Sequence, residues 1–296
     1  MVCLPNIINP LIMLERLYPY VFSNDLAEAQ ALMGEESGIR CRRTSPSSNM
    51  TFCKRQRQAN TMPNLQPFVL YASAPFAASA NPWKVAFILE ELELPYQFEK
   101  IHEADKKQQP FLSLNPNGKV PVLIDPNNNN ITIWESGAII DYLIDVYDIQ
   151  HTLHYASGPE KHLTRCWEHF QMSGQGPYFG QMVWYTTFHH ETLPSVIERY
   201  GNEIKRFLGV IDAHLGSQGT EYLVGDRVTY ADIMFLPYCK GLATIIYPEL
   251  DTSQWQNYTA WIGRISSRPA IARALKIMDA AVLQHKEYIA SVLAQK

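Results

Sequence analysis

Asn115 to Leu143 read NPNGKVPVLIDPNNNNITIWESGAIIDYL, and this order of residue types predicts strand, turn, strand and helix. Val120, Val122, Leu123 and Ile124 form a short β-rich apolar run, and Asp125-Pro126 with four asparagines marks the turn. Ile131, Ile133 and Trp134 begin the return strand, and helical spacing resumes at Ala138, Ile139, Tyr142 and Leu143. Pro121 cannot donate to a strand ladder. A Val120-Pro121 turn, in cis or trans, leaves the backbone of Val120 for an extended, peptide-like ligand. At the second junction Ser136 is a good N-cap, and the open N–H groups behind it suit an anion. Glu135 beside it suits a cation. Together they provide a carboxylate holder and an ammonium holder at one spot, as a free amino-acid terminus requires.

Either half alone would be an ordinary hairpin or an ordinary capped helix. In order and at this spacing, V-P followed by E-S-x-A-I-x-x-Y-L resembles the glutathione-binding signature of cytosolic glutathione transferases. The resemblance implies that Val120 and Pro121 meet the cysteinyl backbone of glutathione and that Glu135 and Ser136 hold its γ-glutamyl end. It extends over roughly Gln66 to Leu283. N-P-W-K-V, I-W-E-S-G-A-I, G-P-Y-F-G-Q and E-R-Y-x-x-E resemble the fungal, nu-class-like branch, which includes a yeast nitrogen-catabolite regulator and enzymatic relatives.

The 296 residues are enough for one or two domains with sizeable cores. A hydrophobic content of 46% and a charged content of 18% suit a soluble globular protein. The formal net charge is −4, from 29 acidic and 25 basic residues, so no global nucleic-acid footprint is present. The five cysteines form no CxxC pair, and their odd number argues for reduced thiols in the cytoplasm. No apolar run reaches the length of a membrane span.

Residues 1-65 read as a low-complexity, disordered extension. The start is apolar but broken by Pro5, Pro10 and Pro19, and it lacks the basic n-region of a signal peptide. From Gly38 to Gln58 the chain is polar and basic without periodicity. Residues 66-148 then give the order β-α-β, connection, β-β-α, a thioredoxin-like α/β domain. Phe68 to Ser73 is its first strand, Asn81-Pro82-Trp83 opens its first helix, and Tyr96 to Ile101 is its second strand. A linker follows, and residues 157-290 read as an all-helical domain. In it Leu163, Trp167 and Phe170 share one helix face, and Ile197, Tyr200, Ile204, Phe207, Leu208, Ile211 and Leu215 share another. Thr229 and Asp232 make a variant capping box before Ile233 to Leu236.

The resemblance implies a glutathione transferase fold and a co-substrate role for glutathione, with no metal. A transferase must raise the thiolate fraction of that thiol, whose reference pKa is about 8.5. Asn81 matches the asparagine that faces the sulfur in this branch, although helix capping alone would also account for it. Ser79 and Ser73 are alternative donors. Lys106, Lys107 and Lys119 are candidates for the glycine carboxylate, or solvated surface lysines. Gln175, Tyr178, Gln181, Trp184 and Tyr185 are candidates for an electrophile pocket between the domains. His189-His190 with Glu191 lacks metal-ligand spacing. The function so implied is conjugation of glutathione to a small hydrophobic electrophile, in detoxification or secondary metabolism, by a homodimer. The alternative is a non-catalytic glutathione-binding or protein-interaction module. A cysteine-dependent reductase is disfavoured, since no cysteine lies between Phe68 and Leu143.

Overall fold

The computed structural model describes residues 65–74 and 79–293, so the N-terminal arm lies outside the described residues. Strand β1 (Phe68–Ser73) leads to helix α1 (Ala80–Glu91) and strand β2 (Tyr96–Ile101). After the short helix α2 (Phe111–Leu114) come β3 (Val122–Asp125), β4 (Ile131–Trp134) and α3 (Ser136–Tyr147). The sheet order is β2-β1-β3-β4, with β1 parallel to β2 and the other two pairings antiparallel. Helices follow: α4 (Pro159–Phe170), α5 (Gly176–Val183), α6 (Pro194–Gln218), α7 (Tyr230–Gly241), α8 (Gln256–Ser266) and α9 (Pro269–Leu293). This is the thioredoxin-like sheet domain followed by a helical domain, joined in one compact unit from Leu65 onward.

Helix α1 shows why the two parts cohere. The spacing of Val85, Ile88 and Leu89 predicts one apolar stripe, yet every residue from Pro82 to Leu89 is buried. A helix covered on all sides belongs to an interior. It packs against the sheet, α3, α7 and α9, and a single apolar cluster runs from Phe68 and Leu70 through Phe87 to Phe235 and Trp261.

The first helical-domain segment differs from its apolar reading. Trp167 and Phe170 pack against the core, and Phe170 stacks on Phe207 at 4.3 Å. Leu163 is instead 51% exposed. The inward side carries Thr164, Glu168, Gln171 and Gln175, a polar row at helical spacing that continues through the π-helical turn Gln171–Gln175. In α3, Ile140 is buried and Ala138 faces out.

Asp232 shows how the helical domain is fixed. Its carboxylate accepts the backbone N–H of Thr229 and the hydroxyl of Thr229, each at 2.8 Å. It also accepts the backbone N–H of Leu223 and the indole N–H of Trp261, each at 2.9 Å. The capping box of α7 thus also ties in the preceding loop and α8. Asp232→Ala leaves four buried donors without an acceptor and is expected to cost roughly 3–5 kcal/mol. Urea denaturation of the two proteins measures that difference.

Candidate functional site

The strand register brings the sequence-selected residues to one end of the sheet. Val122 pairs with Tyr71 on one side and Trp134 on the other. The residues just before Val122 therefore lie beside those just after Tyr71 and Trp134. Val120-Pro121, Ser73 and Glu135-Ser136 share that edge. The Val120–Pro121 peptide is cis, and β3 begins directly after it. Helices α1 and α3 also start at this end.

Two caps differ from their sequence reading. Glu135, not Ser136, is the N-cap of α3, with φ 71 and ψ 121. That left-handed φ is unfavourable for a side-chain-bearing residue and is held by the surrounding fold. Ser136 is already the first helical residue and is buried. At α1 the N-cap is Ser79, in extended conformation and without a side-chain cap bond. Asn81 lies inside the first turn, and its Oδ1 accepts the hydroxyl of Tyr238 from α7 at 3.2 Å. The amide is thus engaged across the two domains rather than in capping its own helix.

The three candidate lysines have different surroundings. Lys106 is 7% exposed, and its Nζ donates to Ser73 Oγ at 2.9 Å and pairs with Glu103. It is therefore a buried side chain rather than a solvated one, and Ser73 Oγ accepts from it, which leaves the hydroxyl proton of Ser73 to donate elsewhere. Lys107 donates to the carbonyl of Asn117 at 2.8 Å. Lys119 is exposed.

A cavity of about 540 Å³ opens where α1 begins. Ser79, Ala80 and Trp83 form one wall. Gly180, Val183, Trp184, Thr187 and Phe188 form a second, and Tyr238, Cys239 and Ile246 contribute to a third. Of the five candidate pocket residues only Trp184 lines it. Gly180, Val183, Trp184 and Thr187, at helical spacing, form the stripe that faces the cavity. Tyr178, Gln181 and Tyr185 form another: Tyr185 stacks on Tyr200, and Gln181 is exposed. Gln175 is buried and bonds Gln171, the carbonyl of Phe235 and Cys239 Sγ. Burial pushes the Cys239 thiol up to about 12, so it stays neutral beside the cavity. Among the described residues no group of three or more His, Cys, Asp or Glu could hold a metal ion. None of their helices is long and apolar enough to cross a membrane.

The sequence reading gave no role to Lys84, the lysine of N-P-W-K-V. Its side chain, 1% exposed, lies one turn after Asn81 and is enclosed by acceptors. Nζ donates to Gln171 Oε1 at 2.8 Å, Ser136 Oγ at 3.2 Å and Met172 Sδ at 3.4 Å. Burial lowers its pKa to about 7, and the nearby charges of Glu135 and Glu168 oppose that fall. Glu168, which accepts the hydroxyl of Tyr230 at 3.0 Å, is itself raised by burial. The available signal was a long cationic side chain inside an otherwise apolar helix.

The model of the glutathione S-transferase N-terminal domain matches residues 75–151, and that of the C-terminal domain matches residues 178–276. The chain belongs to the glutathione S-transferase family. It is 44% identical over 214 residues to the glutathione S-transferase-like protein OpS6 of Beauveria bassiana, covering 72% of this chain and 96% of that one. It is 34% identical over 247 residues to the protein URE2 of Meyerozyma guilliermondii, covering 71% and 81% respectively. The glutathione transferase URE2P8 of Phanerochaete chrysosporium, solved with oxidized glutathione, superposes with a TM-score of 0.67 at 36% identity, covering 73% of this chain and 96% of that one.

The buried lysine sets a pH dependence. Below about pH 7 Lys84 is protonated in both the folded and unfolded chains, and its burial cost is felt in full. Between about 7 and the unperturbed value of 10.5 only the unfolded chain keeps the proton, so stability rises with pH. The slope reaches up to about 1.4 kcal/mol per pH unit. Denaturation at pH 7 and pH 9 is expected to show this rise in the wild type and its loss in Lys84→Met.

Proposed function

We propose that the protein is a glutathione transferase that adds the thiolate of glutathione to a small hydrophobic electrophile, in detoxification or in fungal secondary metabolism. Glutathione lies along Val120 and Pro121, with its γ-glutamyl end at Glu135 and Ser136 and its glycine carboxylate towards Lys106, Lys107 and Lys119. Its sulfur faces the first turn of α1.

The observation that carries this reading is the junction of cavity and helix start. The cavity is apolar along α5 and meets α1 at Ser79 and Ala80, beside Asn81. Tyr238 donates to Asn81 Oδ1, which leaves the amide N–H₂ as the group to donate to sulfur. The positive end of α1 adds to that effect. Neither group removes a proton: the thiol proton leaves to solvent, and the hydrogen bond holds the thiolate that remains. The sulfur lone pair then forms a bond to the electrophilic carbon, and the leaving group departs with its electron pair or the adduct takes up a proton. Cys239 is no competing nucleophile, since burial keeps it a neutral thiol. Ser79, at the cap and in the cavity wall, is the second donor within reach of this chemistry.

The chain acts as a homodimer, a reading supported by exposed Ile131 and Trp134 on the edge strand β4 and exposed Val146 and Leu163 on the helices that follow.

Turnover with aryl halides, isothiocyanates and peroxides tests the assignment. Asn81→Ala is expected to lower kcat/KM by about 100-fold, to move the apparent thiol pKa upward, and to leave glutathione affinity nearly unchanged. Tyr238→Phe is expected to act in the same direction but less strongly. An unaltered rate and pH profile in Asn81→Ala would remove it from the mechanism. Glutathione binding without turnover of any electrophile would favour the binding-module alternative.

A further inference from the structure

Lys84 carries its side-chain amine into the interior without an ion-pair partner among the described residues. Burying an ammonium is costly unless its charge is matched. Its three hydrogen-bond acceptors, Ser136 Oγ, Gln171 Oε1 and Met172 Sδ, are all neutral. Glu135 on the cap of α3 and Glu168 on α4 act on it through space, and the ring of Tyr238 on α7 lies 5.6 Å away. Among the described residues no carboxylate comes within ion-pair distance of Nζ. In its protonated form Lys84 therefore sets an unpaired positive charge directly beneath the N-terminus of α3.

The hydrogen bond to Ser136 also has a direction. An ammonium has donors only, so Ser136 Oγ must accept from it. The hydroxyl proton of Ser136 is left for another acceptor. Inside the protein it has Met172 Sδ at 3.7 Å, a weak partner at that distance. A carboxylate at the start of α3 would be a much better one.

We propose that Lys84 is a positioning residue for the α-carboxylate of the ligand's γ-glutamyl end, fixing Ser136 as a donor and supplying the buried counter-charge behind it. This rests on the reading that Glu135 and Ser136 hold that end of glutathione. The carboxylate, arriving at the helix N-terminus, completes a charge balance that the protein alone leaves open. The lysine so acts through Ser136 and through the field, without touching the ligand.

The test is calorimetric titration of the full chain with S-methylglutathione and with its analogue lacking the α-carboxylate, 4-aminobutanoyl-S-methylcysteinylglycine. Methylation removes thiol ionisation from the heats. Lys84→Met is expected to weaken S-methylglutathione about tenfold or more and to leave the analogue within about twofold. Lys84→Met is expected to cost S-methylglutathione less affinity in a Ser136→Ala background than in the wild type, because the route through the hydroxyl is already gone and only the counter-charge is left to lose. Equal weakening of both ligands by Lys84→Met, or additive losses, would overturn the assignment and leave Lys84 a packing residue. Should Lys84→Met not fold, the wild type decides. Titrations at pH 7.5 in two buffers of different ionisation enthalpy are expected to show proton uptake with S-methylglutathione beyond that with the analogue. Equal uptake for the two ligands would overturn it. If the wild type binds neither S-methylglutathione nor glutathione, the subsite reading itself falls; if both bind and only the Lys84 comparisons fail, that reading stands.

Discussion

The buried ammonium of Lys84, enclosed by groups from α1, α3 and the turn after α4, is the interaction on which the architecture turns. A methionine or leucine there would pack the interior at no electrostatic cost. The lysine instead demands polar company, and the chain provides it from both domains. Gln171 reaches it from the helical side, and Gln175 extends the same row to Cys239 and to the backbone of α7. The contact between sheet domain and helical domain is therefore an apolar cluster threaded by a connected polar seam. Such a seam specifies one relative placement of the helices, because any slip leaves buried donors or acceptors without partners.

That specificity matters for the site because its parts come from distant stretches. Asn81 lies on α1, and the hydroxyl that orients it comes from Tyr238, 157 residues later. Ser136 begins α3, and its Oγ accepts from a lysine of α1. A shift of a few tenths of an ångström at the domain contact would loosen the Tyr238–Asn81 hydrogen bond together with the Lys84–Gln171 bond that crosses the same contact. The sheet register performs the complementary task. It places the cis Val120–Pro121 turn and the start of α3 at one edge, so an extended ligand can be met along its backbone and at its charged head at the same time.

The cavity follows from the same arrangement. Helix α5 offers Gly180 and Val183, and the turn after it Trp184, to the space beside α1, and at Gly180 a side chain would meet nothing within 4 Å. The wall is thus open at its middle and aromatic at its end. The one thiol in that wall is buried and held neutral.

What the sequence determined by itself were the elements whose signals are local. Alternation and turn residues set β3 and β4, Pro95 ended the helix before β2, and Thr229 with Asp232 marked the start of α7; each rests on backbone chemistry within a few residues. The glutathione-transferase architecture was legible because V-P and E-S stand in fixed order within one short stretch. Only the tertiary structure decided that the inner face of α4 is a polar one. Leu163 is apolar yet exposed, whereas Thr164, Glu168, Gln171 and Gln175 are polar yet buried, since each finds a polar partner: the carbonyl of Glu160, the hydroxyl of Tyr230, Lys84, and the carbonyl of Phe235 respectively. It likewise decided that Asn81 answers to Tyr238 and not to its own helix, and that Trp184, not Tyr185 beside it in the sequence, borders the cavity. Those outcomes depend on which side chains a fold brings together over long separations, and hydrophobic periodicity carries no information about a polar partner that arrives from the other domain.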